Sequence, residues 1–358
     1  MPVTSNTITN AIPGPVLITG HTGFKGTWLT LLLEALNVEV VGLSLPAIPH
    51  SLFQRLNRSG MVNEALVDIR NIDEVNKFIS HTKPSSIFHL AAQPLVLESY
   101  KSPVDTFAVN VVGTANILDA SFKSSSVQSI VVSTTDKVYR NDSSPIRFKE
   151  SDPLGGKDPY SASKVGTENV VLAWQNIKKV SGGPRVVAVR AGNVIGGGDW
   201  AANRIVPDLV RAFKDDSPIE IRNPQSTRPW QHVLDPLRGY ISTLLAINEG
   251  KEISAINFGP SEASLTVREL VSIAARTWPN ASRILFGEGS DIAESVTLDL
   301  DSSLAQEKLN WKPFWTQQEA IESTFAWWKG VLVRLDEPLL LCRRDIDYAL
   351  SLEEKKAT

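Results

Sequence analysis

The chain has 358 residues, with 36 Lys and Arg against 39 Asp and Glu, giving a formal net charge of −3. Hydrophobic residues make up 42% and charged residues 21%, which fits one large α/β unit or a core domain plus a smaller lobe. The charge excludes a nucleic-acid protein that relies on bulk basicity, and the single cysteine, Cys342, excludes an intrachain disulfide framework or a Cys-based zinc cluster.

In chain order, Pro13, Gly14 and Pro15 end an N-terminal arm that is polar and lacks a basic or apolar leader pattern. Val16–Thr19 is an apolar β run, and a glycine-rich turn then leads into a helix through Leu36. Further β runs are predicted at 38–45, 66–68, 86–90, 130–132 and 186–189. Helices are predicted between them at 72–80, 104–122 and 160–175. Continuous Val/Ile/Leu runs alternating with helices predict a Rossmann-type, doubly wound parallel sheet buried on both faces. After Arg190 the texture changes to Gly, Pro and Trp-rich loops with helices at 205–213, 267–277 and 317–330. This predicts a dinucleotide-binding domain over 15–190, with a further contribution from about 230–260, and an interleaved lobe over 191–358. The segment SAINFG (254–259) reads as one more strand of the main sheet, and the tail beyond Trp328 as a helix. No run reaches the ~18–20 apolar residues of a membrane span. The five histidines show no metal-ligand spacing, so no metal and no membrane are expected, and the cytoplasm is the default.

Gly20, Gly23 and Gly26 have the spacing GxxGxxG between a strand and a helix. In that setting Gly20 permits the tight turn, Gly23 the approach of a pyrophosphate, and Gly26 close packing of the helix. The first helical turn then offers N–H groups to phosphate, with Thr22, Phe24 and Lys25 completing the turn as cofactor contacts. The second strand ends without an acidic residue or a neighbouring arginine, so that strand alone leaves NAD and NADP open; Ser44 suits either. Asp68 is read equally as an adenine-side contact or as the cap of the next turn.

Tyr160 and Lys164 form YxxxK, which places both on one helix face. A lysine ammonium there favours the phenolate, and a phenolate is a base for a hydroxyl proton. The helix follows a strand ending in Ser133-Thr134-Thr135-Asp136-Lys137, and hydroxyl groups at the carboxyl end of a parallel strand face the ligand crevice.

GxxGxxG followed by YxxxK resembles the short-chain dehydrogenase/reductase superfamily. HLAA (89–92) and NVVGT (110–114) are similar to its extended, nucleotide-sugar-modifying branch. Within that branch the runs ITGHTGFKG (18–26), TDKVY (135–139), GGKDPYSASK (155–164), RAGNVIGGGDW (190–200) and RNPQSTRPWQHVLDPL (222–237) resemble the CDP-glucose 4,6-dehydratases. LDLDSSLAQEKLNWKP (298–313) extends the likeness towards the C-terminus, although residues 141–150 carry one aromatic, Phe148, where that family has several.

The resemblance implies an NAD-dependent lyase acting on CDP-glucose. Tyr160 takes the C4 hydroxyl proton while hydride leaves C4, and Thr135 shares a hydrogen bond with the C4 oxygen. Water is then lost across C5–C6 and the hydride returns to C6. Asp136 protonates the departing C6 hydroxyl, a role that needs a protonated carboxyl, which burial favours and the adjacent Lys137 opposes. Lys137 is the C5 base or a stabiliser of the enolate, with a plain ion pair to Asp136 as its bland alternative. Further implied cofactor contacts are Ile69, Leu90, Ala91, Ala92 and Asn110, beside Tyr160 and Lys164. Gln93 lies near the sugar, Asn193 and Arg228 hold the diphosphate, and Arg204 holds phosphate or cytidine. Trp200 and Trp230 either build the cytosine pocket or pack the lobe, and His232 is a structural hydrogen-bonder. The alternatives are a 4,6-dehydratase or 4-epimerase acting on another nucleotide sugar, and a non-catalytic dinucleotide sensor. The Asp136-Lys137 pair favours dehydration, because epimerisation at C4 needs no C6 acid. A homodimer or higher homo-oligomer is implied, with the helices at 104–122 and 160–175 available as its seam.

Overall fold

The structure, a computed structural model, describes residue 8 and residues 12–142, 146–278, 283–287 and 298–357. Most of the N-terminal arm and residues 143–145 of the loop with few aromatics lie outside the described residues. The first half runs β1 (Val16–Thr19), α1 (Phe24–Ala35), β2 (Val40–Ser44), β3 (Asn63–Leu66), α2 (Ile72–Thr82) and β4 (Ser86–His89). The short helices α3 (Val96–Lys101) and α4 (Pro103–Phe107) follow, then α5 (Gly113–Lys123), β5 (Ser129–Ser133), α6 (Pro159–Ser181) and β6 (Arg185–Ala191). The second half contains α7 (Ile205–Lys214), α8 (Leu234–Asn248), β7 (Ala255–Phe258), α9 (Val267–Thr277), α10 (Ser303–Leu309), α11 (Gln317–Lys329) and α12 (Pro338–Ala357).

Seven parallel strands form one sheet in the order β7-β6-β5-β4-β1-β2-β3. β1 lies between β2 and β4, with Thr19 opposite both Leu43 and His89. The chain therefore winds outward from β1 in both directions, which opens a crevice beyond the carboxyl ends of β1 and β4. The segment at 254–259 does supply a strand, β7, paired with β6 through Ala255 and Ala188.

Alternate residues of each strand feed two cores, as the two-residue period requires. Leu17, Ile87, Ile130 and Val132 pack against α2, α5 and α6 through Val75, Ile79, Ile117 and Val171. Val16, Ile18, Phe88 and Val131 face the other way, against Trp28 and Leu32 of α1 and Leu237 and Tyr240 of α8. That second core continues without a break into Trp311, Phe325, Trp327, Trp328 and Ile346 of the C-terminal half.

Two predicted elements differ. The third β run is Asn63–Leu66, not 66–68. It is an edge strand with one neighbour, so backbone pairing to β2 places it rather than burial of an apolar run. The long helix at 104–122 is broken by a π-helical turn, Ala108–Val112, between α4 and α5. Such turns are rare and gather at functional sites.

Candidate active site

The crevice is built from the loops that leave β1, β2, β4, β5 and β6. Gly20 has φ +77°, and a Cβ there would stand 2.8 Å from the Ala91 nitrogen. A Cβ on Gly26 would stand 2.1 Å from the Gly20 carbonyl, so this glycine lets α1 start against its own turn rather than against the sheet. Gly23 caps α1 without a side-chain bond, and no acidic residue stands in the first turn. The helix N-terminus is thus left to an anion. Thr22 and Ser44 share a 2.7 Å hydrogen bond that joins the glycine turn to the end of β2. Leu90 and Ala91 donate their N–H groups to the Thr19 hydroxyl, and Ala92 follows half-buried. Phe24 is half-buried against the second core.

Lys25 does not turn toward the helix N-terminus. Its ammonium donates to Ser133 Oγ at 3.1 Å and to the Tyr240 hydroxyl at 3.2 Å.

The catalytic segment sits where β5 ends. Thr135 caps a single 3₁₀ turn, Asp136–Val138, by accepting from the Lys137 N–H at 3.3 Å. Asp136 is buried. Its Oδ1 accepts from the Thr135 hydroxyl at 2.9 Å and from the Lys137 ammonium at 3.3 Å, while Oδ2 has no partner. Lys137 is partly exposed. Asp158 caps α6 with a reciprocal bond to Ser161, and Pro159 stands in its first turn. Tyr160 follows, its N–H held by Ser99 Oγ at 3.1 Å.

Burial pushes the Tyr160 phenol up to about 12, while hydrogen bonding with Thr135 and the charge of Arg204 pull it down. Burial, with the charge of Lys25 behind it, brings Lys164 down to about 7. The Lys164 ammonium donates to the Ser133 carbonyl at 3.1 Å. Desolvation is the largest cause at Tyr160, and the Lys164 ammonium is held at the end of β5. His89, between Thr19 (2.7 Å) and Thr114 (3.0 Å), is lowered to about 3 by burial first and Lys164 second, so it is a neutral link.

Several sequence-predicted contacts are engaged within the protein. Asn110 is fully buried on the π-helical turn. Its amide binds the Gln93 N–H (2.8 Å), the Gln93 carbonyl (3.1 Å) and Ser163 Oγ (2.8 Å). It ties the β4 loop to α6. Gln93 is held in turn, its amide donating to Thr106 at 2.9 Å and accepting from the Leu95 N–H at 2.6 Å. Ile69 is a core residue; a Cβ on Gly113 would stand 2.5 Å from it. Asp68 is gripped by Arg70 at 2.6–3.1 Å, and this pairing holds its carboxyl below the usual range.

On the substrate side, Asn193 is half-buried beside Gly192, where a Cβ would approach Asp136 Oδ2 at 3.4 Å. Arg204 pairs with Asp199 at 3.0 Å and is close enough to influence Tyr160. Arg228 is buried and donates to the Thr227 carbonyl at 2.8 Å. Trp230 is 2% exposed and belongs to the core. Trp200 is half-buried between Arg55 and Arg211, each 5.1 Å from its ring, and packs at a tilt against Trp328. His232 stacks on Trp315 at 4.3 Å and is lowered to about 3 by burial, consistent with a structural role.

Sequence reasoning missed the Glu168–Arg190 pair. Glu168, one turn beyond Lys164, accepts from Thr134 at 2.6 Å and from two Arg190 nitrogens at 2.9 Å. Arg190 also donates to the Tyr139 hydroxyl, which bonds Asn257 of β7. This buried chain braces the 3₁₀ turn from behind. Its one sequence signal is a pair of charges in segments otherwise reading as buried.

The NAD dependent epimerase/dehydratase family matches residues 16–259. The chain belongs to this family. A CDP-glucose 4,6-dehydratase of Salmonella typhimurium is 39% identical over 345 residues, 93% of this chain and 95% of that protein. The epimerase Mth375 of Methanothermobacter thermautotrophicus has the same fold, with TM-score 0.81 at 23% identity over 95% of this chain and 97% of that one. A Brucella ovis UDP-glucose 4-epimerase in complex with NAD matches with TM-score 0.76 at 21% identity, over 87% of this chain and 97% of that one. As an epimerase/dehydratase the chain uses NAD, and the cradle at Gly20, Gly23 and Gly26, which a Cβ would fill at Gly20 and Gly26, fits it.

Proposed function

We propose that the chain converts CDP-D-glucose to CDP-4-keto-6-deoxyglucose and water. One observation carries the reading: Asp136 is a buried carboxyl with one oxygen held by Thr135 and Lys137 and the other unengaged, next to Tyr160. An acid beside the C4 base is what loss of the C6 hydroxyl needs and what C4 epimerisation does not. Bound NAD supplies the acceptor for hydride from C4 and its donor to C6. Tyr160 accepts the C4 hydroxyl proton, with Thr135 bonded to the same oxygen. The resulting ketone acidifies C5–H. Lys137 receives that proton, or stabilises the enolate while the proton passes to solvent. Asp136 Oδ2 delivers a proton to the departing C6 oxygen, and C5 regains a proton from Lys137 or solvent as the hydride reaches C6. Arg204, Arg228 and Asn193 hold the diphosphate through charge-assisted bonds. Residues 15–190, with a contribution from about 230–260, hold NAD, and 191–358 close over the sugar nucleotide. The exposed Val104, Phe107 and Val112 on one helical stretch and Leu172 and Val180 on α6 support a homodimer seam there.

The test is incubation of the purified protein and NAD with the CDP, dTDP, UDP and GDP forms of the sugar, read by the alkaline absorbance of a 4-keto product. Turnover of CDP-glucose is expected. Absence of turnover with all four overturns the dehydratase reading.

A further inference from the structure

Lys25 lies inside the phosphate-binding turn, yet its side chain crosses to the far wall of the crevice. Its ammonium bonds Ser133 Oγ (3.1 Å) and the Tyr240 hydroxyl (3.2 Å), and lies 5.4 Å from the centre of the Tyr240 ring. Ser133 is the last residue of β5. Its carbonyl takes the second active-site ammonium, Lys164, at 3.1 Å. One residue is therefore gripped by two lysines, one through its hydroxyl and one through its carbonyl. Thr134, Thr135 and Asp136 follow directly. Three elements distant in sequence, α1, β5 and α8, meet at this ammonium.

We propose that Lys25 is a positioning residue for the dehydration: its ammonium clamps the end of β5 to α8 and so holds the Thr135–Asp136–Lys137 turn in register with the dinucleotide loop. The kinetic part of this rests on the dehydratase reading; the structural part does not. Lys25 also acts on Lys164 through space. The charged or titratable groups that act with Lys164 are Lys25 from α1, neutral His89 from β4 and Glu168 from its own helix. Burial is the larger cause lowering Lys164 and the charge of Lys25 the second, against the opposing charge of Glu168. Removing the Lys25 charge raises Lys164, so an ammonium needed beside the phenol survives to higher pH.

The experiment uses the full chain as wild type, Lys25→Met, Lys25→Arg and Tyr240→Phe. Amide hydrogen exchange is measured with NAD present, NAD affinity by calorimetry, and kcat and KM for CDP-glucose across pH. In Lys25→Met, exchange across 133–139 is expected to rise about fivefold while that of β4 stays unchanged. At saturating NAD, kcat falls about tenfold with KM within about twofold, as misplacement of catalytic groups produces. The alkaline limb of kcat/KM moves to higher pH. Lys25→Arg recovers most of these losses, and Tyr240→Phe shows part of the exchange effect. Unchanged exchange across 133–139 in both Lys25→Met and Tyr240→Phe overturns the clamp. So does a Lys25→Met enzyme that binds NAD about tenfold more weakly but has wild-type kcat at saturation, which would make Lys25 a phosphate contact. If wild type does not turn over CDP-glucose, the dehydratase reading fails and the exchange result alone decides the clamp. If Lys25→Met does not fold, Tyr240→Phe carries the exchange test, and unchanged exchange across 133–139 in it overturns the clamp.

Discussion

Replacing Asp136 by Asn separates the two halves of the proposed reaction. Asn is isosteric, so its carbonyl oxygen still accepts from Thr135 and Lys137, as Oδ1 does at 2.9 and 3.3 Å. Its amide nitrogen takes the place of the unengaged Oδ2, and the proton for the C6 oxygen is gone. Loss of a positioned general acid slows its step about 10²–10⁴-fold, or about 2.7–5.4 kcal/mol at 1.36 kcal/mol per decade. The same change leaves the C4 half in place, because Tyr160 and its Thr135 partner are untouched and a neutral Asn, like the protonated carboxyl the acid role requires, adds no charge beside the phenol. Rapid mixing of enzyme, NAD and CDP-glucose, followed by near-ultraviolet absorbance for reduced dinucleotide and alkaline absorbance for product, reads both halves. Reduced dinucleotide is expected to build up while product formation collapses by about 10²–10⁴-fold. Product at the wild-type rate would refute the acid assignment, and loss of dinucleotide reduction as well would refute the division of roles between Asp136 and Tyr160.

Three further outcomes follow from the same geometry. Arg190→Met leaves buried Glu168 without its cation, at a cost of about 3–5 kcal/mol. With about 2.1 cal/mol/K per residue over 358 residues, that lowers Tm by about 4–7 °C in a thermal scan. The double change with Glu168→Leu is expected to cost less than the sum of the singles; strict additivity would deny the coupling. Gly26→Ala places a methyl against the Gly20 carbonyl, and NAD affinity by calorimetry should drop more than about tenfold, unless the turn shifts at no cost. His89 and His232 both titrate near about 3 when folded, below the ~6.5 of the unfolded chain. Unfolded chain therefore takes up protons that folded protein refuses, so stability present above ~6.5 declines as pH falls toward ~3. A pH series of melting temperatures with a flatter acid side in His232→Gln supports this, and an unchanged slope contradicts it.

The elements and motifs that local pattern encodes were legible. β1, β5 and β6 are continuous Val/Ile runs because both faces are buried, and the glycine spacing marks a turn where a Cβ has no room. Tyr160 and Lys164 share a helix face by simple periodicity. β3 was misplaced because an exposed edge strand owes its position to a neighbour's backbone, which leaves no apolar signature. The capture of Asn110 and Gln93 by each other depends on a π-helical turn that periodicity at 3.6 residues does not reveal. Lys25 reaches Ser133 and Tyr240 across 108 and 215 residues, and no window of sequence contains such a contact. The direction of the Tyr160 shift was likewise out of reach, because desolvation is a property of the assembled site.

The core that runs from the sheet into the C-terminal half has a consequence for biosynthesis. Trp28 of α1 is covered by the Gly197 carbonyl, by His232 and, through the same cluster, by Trp327, Trp328 and Ile346. When β6 leaves the ribosome, the face of α1 carrying Trp28, Leu29, Leu32 and Leu33 still waits for residues made roughly 10–30 s later at ordinary elongation rates. During that interval the nascent chain carries a broad, sticky apolar face. Until those residues arrive, that face is open to the intermolecular contacts that exposed apolar surface invites.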